Sequence, residues 1–354
     1  MTDSVLREDI AFCAKTLKEN GLLDALSGKT VFITGATGLI GSQLVRTLLE
    51  ADRLYDVDIR VAAFIRNEQK AQALFEDVLP CEQLEFVVGD LSAPVTYEGP
   101  VDYIVHGASP TGSKYFVEHP VETIQTALYG TDRLLQFARD KQVSGMVYLS
   151  SLEVYGVPDG SRETITEQDF GTIDPMSVRS SYSEGKRLVE CLCASYASEY
   201  GVPVKVARLS QTFGAGVEYH DGRVFAEFAR CLMEKKDIVL HTDGSTVRSY
   251  CYTADAVYAL YTILVNGVSG EAYNVTNMDT ACSIREMAEL VAGLEPEAGV
   301  NVRIEVPEDL SSFGYNPQMV IRLDSSRLEA IGWRPSVGME EMFRRTIRSM
   351  RERI

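Results

Sequence analysis

Tyr182 and Lys186 stand four residues apart in Tyr182-Ser183-Glu184-Gly185-Lys186, and nowhere else in the chain does a lysine follow a tyrosine at that spacing. On a helix this step brings both side chains to one face, so a phenol and an ammonium can share a site. Upstream, the apolar run Met146–Leu149 ends in Ser150-Ser151. A strand there presents a hydroxyl at the carboxyl edge of a sheet, where the sites of open α/β proteins lie. Phenol, ammonium and hydroxyl are groups that move protons. His106, His119, His220 and His241 are far apart, and none has a second His or Cys at helical ligand spacing, so no metal site is expected.

A second constellation precedes the first. After Thr30–Thr34 comes Gly35-Ala36-Thr37-Gly38-Leu39-Ile40-Gly41, then Leu44, Val45, Leu48 and Leu49 at helical spacing. Glycines at GxxGxxG spacing between strand and helix let the backbone turn tightly and approach a pyrophosphate, whose charge meets free N–H groups at the helix N-terminus. Gly35, Thr37, Gly38, Leu39, Ile40 and Gly41 are therefore candidate contacts of a dinucleotide. The GxxxxGK[ST] pattern is absent, which leaves a nucleoside-triphosphate P-loop unsupported. Where an acidic residue would hold the ribose of NAD, at the end of the second run, the chain carries Arg66-Asn67. A guanidinium there pairs with the 2′-phosphate of NADP, stacks on adenine, or is simply solvated; the expected cofactor is NAD or NADP, with a lean to NADP. Asp90-Leu91, closing the third run, either meets the adenine edge or makes a turn.

Groups so placed need parallel strands to hold them. Runs at Thr30–Thr34, Ile59–Ile65, Leu84–Val88, Tyr103–Val105, Met146–Leu149, Val204–Leu209 and Ala272–Val275 alternate with helix-length segments, the pattern of parallel strands with crossover helices on both faces. The predicted fold is α/β, a Rossmann-type doubly wound parallel sheet with a smaller α/β substrate-binding lobe. Residues 1–27 are expected as an N-terminal helical extension striped by Leu6, Ile10, Cys13, Ala14 and Leu17. Residues 28–210 form the dinucleotide-binding domain, to which 249–278 return, and 211–248 with 279–354 build the lobe.

Composition narrows the partners. The 354 residues include 51 acidic and 34 basic side chains, a net charge of −17, which repels nucleic acid and anionic membranes. Seven scattered cysteines form no CxxC pair and read as reduced thiols. No apolar stretch reaches membrane-spanning length and the first residues lack the order of a secretory signal, so a soluble cytoplasmic protein is expected.

Glycine fingerprint, strand-end serine and the Tyr182/Lys186 pair, in that order, resemble the short-chain dehydrogenase/reductase superfamily. The chain looks like its extended, nucleotide-sugar-modifying branch from about Lys29 onward, through His106-Gly107-Ala108-Ser109-Pro110, Ser150-Ser151-Leu152-Glu153-Val154-Tyr155-Gly156, Arg248-Ser249-Tyr250-Cys251-Tyr252 before Asp255, and Ile331-Gly332-Trp333-Arg334-Pro335. Tyr182-Ser183-Glu184-Gly185-Lys186-Arg187, Val206-Ala207-Arg208, Thr212-Phe213-Gly214 and Asp221-Gly222-Arg223-Val224 are most similar to UDP-glucuronate decarboxylases. Residues before about Ser27 have no counterpart.

The resemblance implies that Lys186 holds the nicotinamide ribose and favours the phenolate of Tyr182, while Tyr182, aided by Ser151, takes the proton of a sugar 4-hydroxyl. A 4-ketone acidifies C5 and makes a C6 carboxylate a β-keto acid, so decarboxylation, dehydration and re-reduction all branch from it. Glu153 is the fourth catalytic candidate. Related 4,6-dehydratases carry Asp-Glu after the hydroxyl residue and decarboxylases Ser-Glu, so Leu152 departs from both, and Gln211 stands where the family has Asn against the substrate. The resemblance further implies Ala108 at the cofactor; Ser109, Thr111, Ser151, Gln211, Arg223 and Arg248 at a nucleotide-sugar; and a homodimer through helices near Val121–Arg139 and Tyr182–Tyr200. Arg248 either binds the substrate diphosphate or packs the lobe through a salt bridge. His106 is expected as a satisfied strand-end histidine and Trp333 as core. UDP-glucuronate decarboxylation leads, 4-epimerisation or 4,6-dehydration are the alternatives, and a non-catalytic nucleotide-sensing protein is the reading from another class. Intact Ser151, Tyr182 and Lys186 speak against the last.

Overall fold

The computed structural model describes residues 3–109, 112–306 and 319–354. In chain order the strands are β1 Thr30–Thr34, β2 Arg60–Ile65, β3 Leu84–Val88, β4 Tyr103–His106, β5 Gly145–Ser151, β6 Val204–Leu209, β7 Gln211–Phe213, β8 Ile238–Leu240, β9 Val247–Tyr252, β10 Ala272–Val275, β11 Asn277–Ser283 and β12 Val302–Ile304. The helices are α1 Ser4–Glu19, α2 Leu22–Leu26, α3 Leu39–Tyr55, α4 Glu68–Leu74, α5 Ser113–Glu118, α6 Pro120–Asp140, α7 Ser181–Tyr200, α8 Val224–Glu234, α9 Thr253–Asn266, α10 Ile284–Gly293, α11 Ser326–Ala330 and α12 Met339–Arg353.

Seven strands form one sheet in the order β3-β2-β1-β4-β5-β6-β10, and every pairing in it is parallel. Its strands are apolar on both faces because both are covered by helices. In β1, Val31 and Ile33 join the cluster that holds Leu17, Leu44, Leu48, Val257 and Leu260, from α1, α3 and α9. Phe32 between them points the other way, to Leu134, Leu135, Val189 and Cys193 of α6 and α7. The alternation in β5 is the same, with Val147 and Leu149 against Met146 and Tyr148. Strand order reverses between β1 and β4, which leaves a crevice beyond their carboxyl ends.

The remaining strands build two small sheets, β11-β9-β7 and β12-β8. β9 pairs parallel with β7 and antiparallel with β11.

The N-terminal helix is fastened by buried acids. Asp3 caps α1 by accepting from the Leu6 N–H at 2.9 Å and also receives the Ser349 hydroxyl at 2.5 Å. Asp9 receives the Tyr252 hydroxyl at 2.5 Å and an N–H of Arg345 at 2.7 Å; burial still pushes its carboxyl up to about 6. Ser349 in turn accepts from the Gly216 N–H at 3.0 Å, and Arg353 donates to the Val217 carbonyl. α1 and α12 thus grip the segment that follows β7. Trp333 is fully buried, its indole N–H donating to Asp255 O at 3.0 Å, so it belongs to the core. Among the described residues no helix is long and apolar enough to cross a membrane.

Candidate active site

The glycine turn sits in the crevice at the end of β1. Gly35 has φ +72°, and a Cβ there would lie 2.7 Å from the Gly107 carbonyl carbon, in the loop after β4. A Cβ on Gly41 would lie 2.0 Å from the Gly35 oxygen. These two glycines therefore shape the protein's own loop. Gly38 differs: its Cβ would meet only the Gly35 oxygen, at 3.3 Å, and otherwise open space. It caps α3, whose first internal bond runs from Ser42 N–H to Gly38 O at 2.9 Å. The N–H groups of Leu39, Ile40 and Gly41 precede that bond at the positive end of a 17-residue helix. A tight backbone turn open at Gly38, with these donors behind it, fits the pyrophosphate of a dinucleotide. Ala108 lies alongside, its N–H donating to the Thr34 hydroxyl at 3.2 Å.

Arg66 is exposed at the end of β2. Asp90, beyond β3, accepts from Ser92 N–H at 2.7 Å; that bond, with the charges of Arg66 and Arg133 adding, holds its carboxyl below the usual range. Asn67 caps α4 by accepting from Lys70 N–H at 2.8 Å. The Leu91 side chain joins the core, and its carbonyl accepts from Arg133 at 2.6 Å.

One strand over from β4, β5 delivers Ser151 and α7 delivers Tyr182 and Lys186. Lys186, only 3% exposed, donates to the Leu149 carbonyl at 2.7 Å and lies 4.6 Å from the Tyr148 ring centroid and 5.7 Å from that of Tyr182. Burial draws its ammonium down to about 8, against the pull of Glu190. Tyr182 is pushed up to about 12 by burial and by the charge of Glu153, while a hydrogen bond with Ser151 and the charge of Arg179 work the other way. His106 is a satisfied histidine beneath the site, bonded to the hydroxyls of Thr34 at 2.8 Å and Thr131 at 3.0 Å. Burial and the Lys186 charge lower it to about 3, so it stays neutral.

Glu153 lies on the short helical turn Leu152–Tyr155 that follows β5. Its carboxylate receives an Arg179 N–H at 2.9 Å and the Ser183 hydroxyl at 3.1 Å. Arg179 stands over the Phe116 ring at 5.3 Å, and that ring stacks on Tyr182 with centroids 4.2 Å apart and planes 13° apart. Arg179, Ser183 and Phe116 are the site residues that motif reading passed over. Arg179 had one signal, its place three residues before Tyr182. Leu152 turns away into a cluster with Val154, Tyr155, Ile321 and Leu323, so an apolar residue there is core.

Of the residues expected at the substrate, Arg248 is buried on β9, at 8% exposure. Among the described residues it makes no ion pair with a carboxylate, and its side chain donates to Val247 O at 3.3 Å. Burial lowers its pKa, and the Glu153 charge, close enough to be felt, opposes this. Gln211 starts β7 in register with Tyr250. Ser109 is half-buried just past β4, and Thr111 lies outside the described residues. Arg223 is turned to Asp221 at 2.5 Å and over the Phe225 ring at 4.7 Å, which does not bring it into the group around Tyr182.

A dinucleotide turn with a serine, a tyrosine and a lysine converging two strands away makes this an extended short-chain dehydrogenase/reductase. Residues 31–276 match the NAD dependent epimerase/dehydratase family, and the chain belongs to that family. It is 30% identical over 323 residues to UDP-glucuronic acid decarboxylase 1 of Danio rerio, covering 90% of this chain and 72% of that one. It is 29% identical over 317 residues to UDP-glucuronic acid decarboxylase 6 of Arabidopsis thaliana, covering 89% and 87%. Among solved structures, dTDP-glucose 4,6-dehydratase DesIV from Streptomyces venezuelae, with NAD bound, superposes with TM-score 0.73 at 25% identity, over 91% of this chain and 97% of that one.

Proposed function

We propose that this protein is a nucleotide-sugar enzyme of the UDP-glucuronate decarboxylase kind. The observation that carries the reading is the convergence of Ser151, Tyr182 and Glu153 beside buried Lys186. A nicotinamide held here would supply hydride transfer at C4. Tyr182 takes the proton of the sugar 4-hydroxyl, with Ser151 bonded to the phenol. Lys186 holds the nicotinamide ribose. Arg248, buried without a described carboxylate partner, takes the substrate diphosphate. Once C4 is a ketone, the C6 carboxylate leaves as carbon dioxide, and Glu153 handles the proton that C5 gains.

Leu152, packed into the core, removes the acid that a dehydratase would use on a departing 6-hydroxyl. C4 epimerisation is the second reading, favoured by the ion pair that already engages Glu153, since epimerisation needs no carboxylate there. Arg66 supports NADP through a 2′-phosphate and supports NAD through stacking on adenine. Residues 211–248 and 279–354 serve as the substrate lobe over the 28–210 domain. A homodimer forms across the seam of α6 and α7, where Val121, Ile124 and Leu188 are exposed at 58%, 39% and 46%.

Incubation with UDP-glucuronate, UDP-glucose and UDP-N-acetylglucosamine, followed by product analysis, tests the reading. Release of carbon dioxide with formation of a UDP-pentose supports it. Conversion of UDP-glucuronate to its 4-epimer replaces it with the second reading.

A further inference from the structure

Glu153 reaches the site from the turn after β5, but nothing on that turn aims its carboxylate. The groups that do so come from one short segment elsewhere. Arg179 lies on the helical turn Val178–Ser180, and Ser183 lies in the first turn of α7, on either side of Tyr182. Their two donors occupy opposite oxygens of Glu153, Arg179 on Oε1 at 2.9 Å and Ser183 on Oε2 at 3.1 Å. Arg179 and Glu153 are 20% and 21% exposed, shielded enough for the pair to outweigh an open surface ion pair. The Phe116 ring backs both Arg179 and Tyr182, so the clamp and the phenol share one wall. The Arg179 Nε is buried with no hydrogen-bond partner; the guanidinium is committed to Glu153 rather than spread over several acceptors.

We infer that Arg179 is a positioning residue for the step after C4 oxidation: with Ser183 it holds the Glu153 carboxylate fixed beside Tyr182. The inference rests on the reading of Glu153 given under the proposed function. The groups that face Glu153 are Arg179, Ser183 and Tyr182 from the α7 segment and the cation Arg248 from β9. With Arg179 removed, Ser183 alone is left bonded to the carboxylate, which is then free to turn away from Tyr182.

The test is single turnover of the cofactor-loaded enzyme with UDP-glucuronate in wild type, Arg179→Gln, Arg179→Lys, Glu153→Gln and the Arg179→Gln/Glu153→Gln double variant. Arg179→Gln is expected to slow product formation about ten- to hundredfold relative to cofactor reduction, a part of what acid–base catalysis supplies. Arg179→Lys is expected to restore part of it. In the double variant Arg179→Gln adds no further loss, because its partner is gone. Losses that multiply in the double variant, or equal loss of both steps with no rescue by lysine, overturn the inference. If wild type itself fails to reduce its cofactor with UDP-glucuronate, the functional reading fails. The clamp is then judged from a crystal structure of Arg179→Gln: a Glu153 side chain that has swung away from Ser183 supports it, and one left in place refutes it.

Discussion

The Lys186 ammonium is tied to the Leu149 carbonyl at 2.7 Å, two residues before Ser151 on the same strand. This bond fixes α7 to β5 and therefore Tyr182 to the serine hydroxyl. It also places a cation in a buried site, where its charge is costly to keep.

Because burial lowers Lys186 to about 8, the group is charged below that pH and neutral above it. Nicotinamide dinucleotide affinity of the cofactor-free protein should weaken by up to about tenfold as pH rises through this value, as a charge-assisted hydrogen bond becomes an ordinary one. Lys186→Met should bind weakly throughout and show no inflection. Titration calorimetry at several pH values checks this, and affinity constant across the range would mean that Lys186 keeps its charge or does not touch the cofactor.

Two of the fingerprint glycines should separate. Gly38→Val brings its Cβ to 3.3 Å from the Gly35 oxygen, a contact relieved by a shift of a few tenths of an ångström, so the protein should fold and lose dinucleotide binding. Gly41→Val drives its Cβ to 2.0 Å from the Gly35 oxygen and should lower stability by about 1–3 kcal/mol or more, in line with overpacking. Thermal unfolding with and without cofactor distinguishes the two. Undiminished affinity in Gly38→Val would remove the dinucleotide from this turn.

Arg66 is open to solvent beside Asp90. If it reads a 2′-phosphate, Arg66→Ala should cost NADP about ten- to hundredfold in affinity, the range of a charged hydrogen bond, and leave NAD nearly unchanged. Equal losses for the two cofactors would assign Arg66 to adenine stacking, and no loss to solvent.

The central sheet was readable from the chain because strands buried on both faces are nearly continuous apolar runs, and each of the seven runs became a strand within about two residues at its ends. β9 was harder to see. Arg248 and Ser249 interrupt its apolar pattern, yet all six of its residues are buried, since a site and not only a core lies against it. Tyr182, Lys186 and Ser151 were legible from spacing and strand ends. Arg179, Ser183 and Phe116 were not, because their roles arise from packing: a ring shared by a phenol and a guanidinium leaves no periodic trace. Asn67 stood in a position suggestive of ribose and proves to cap α4, a local bond that competes with any ligand for the same amide oxygen.

The most direct measurement follows bound nicotinamide by absorbance in a single turnover with UDP-glucuronate, with products analysed in parallel, for wild type, Tyr182→Phe and Glu153→Gln. Tyr182→Phe should slow cofactor reduction by about 10²–10⁴-fold, the usual contribution of a catalytic proton acceptor, while the protein stays folded. Glu153→Gln should reduce the cofactor and then stall at a 4-keto sugar. Product formed by Glu153→Gln at the wild-type rate would contradict decarboxylation through Glu153 and leave that carboxylate as a structural partner of Arg179.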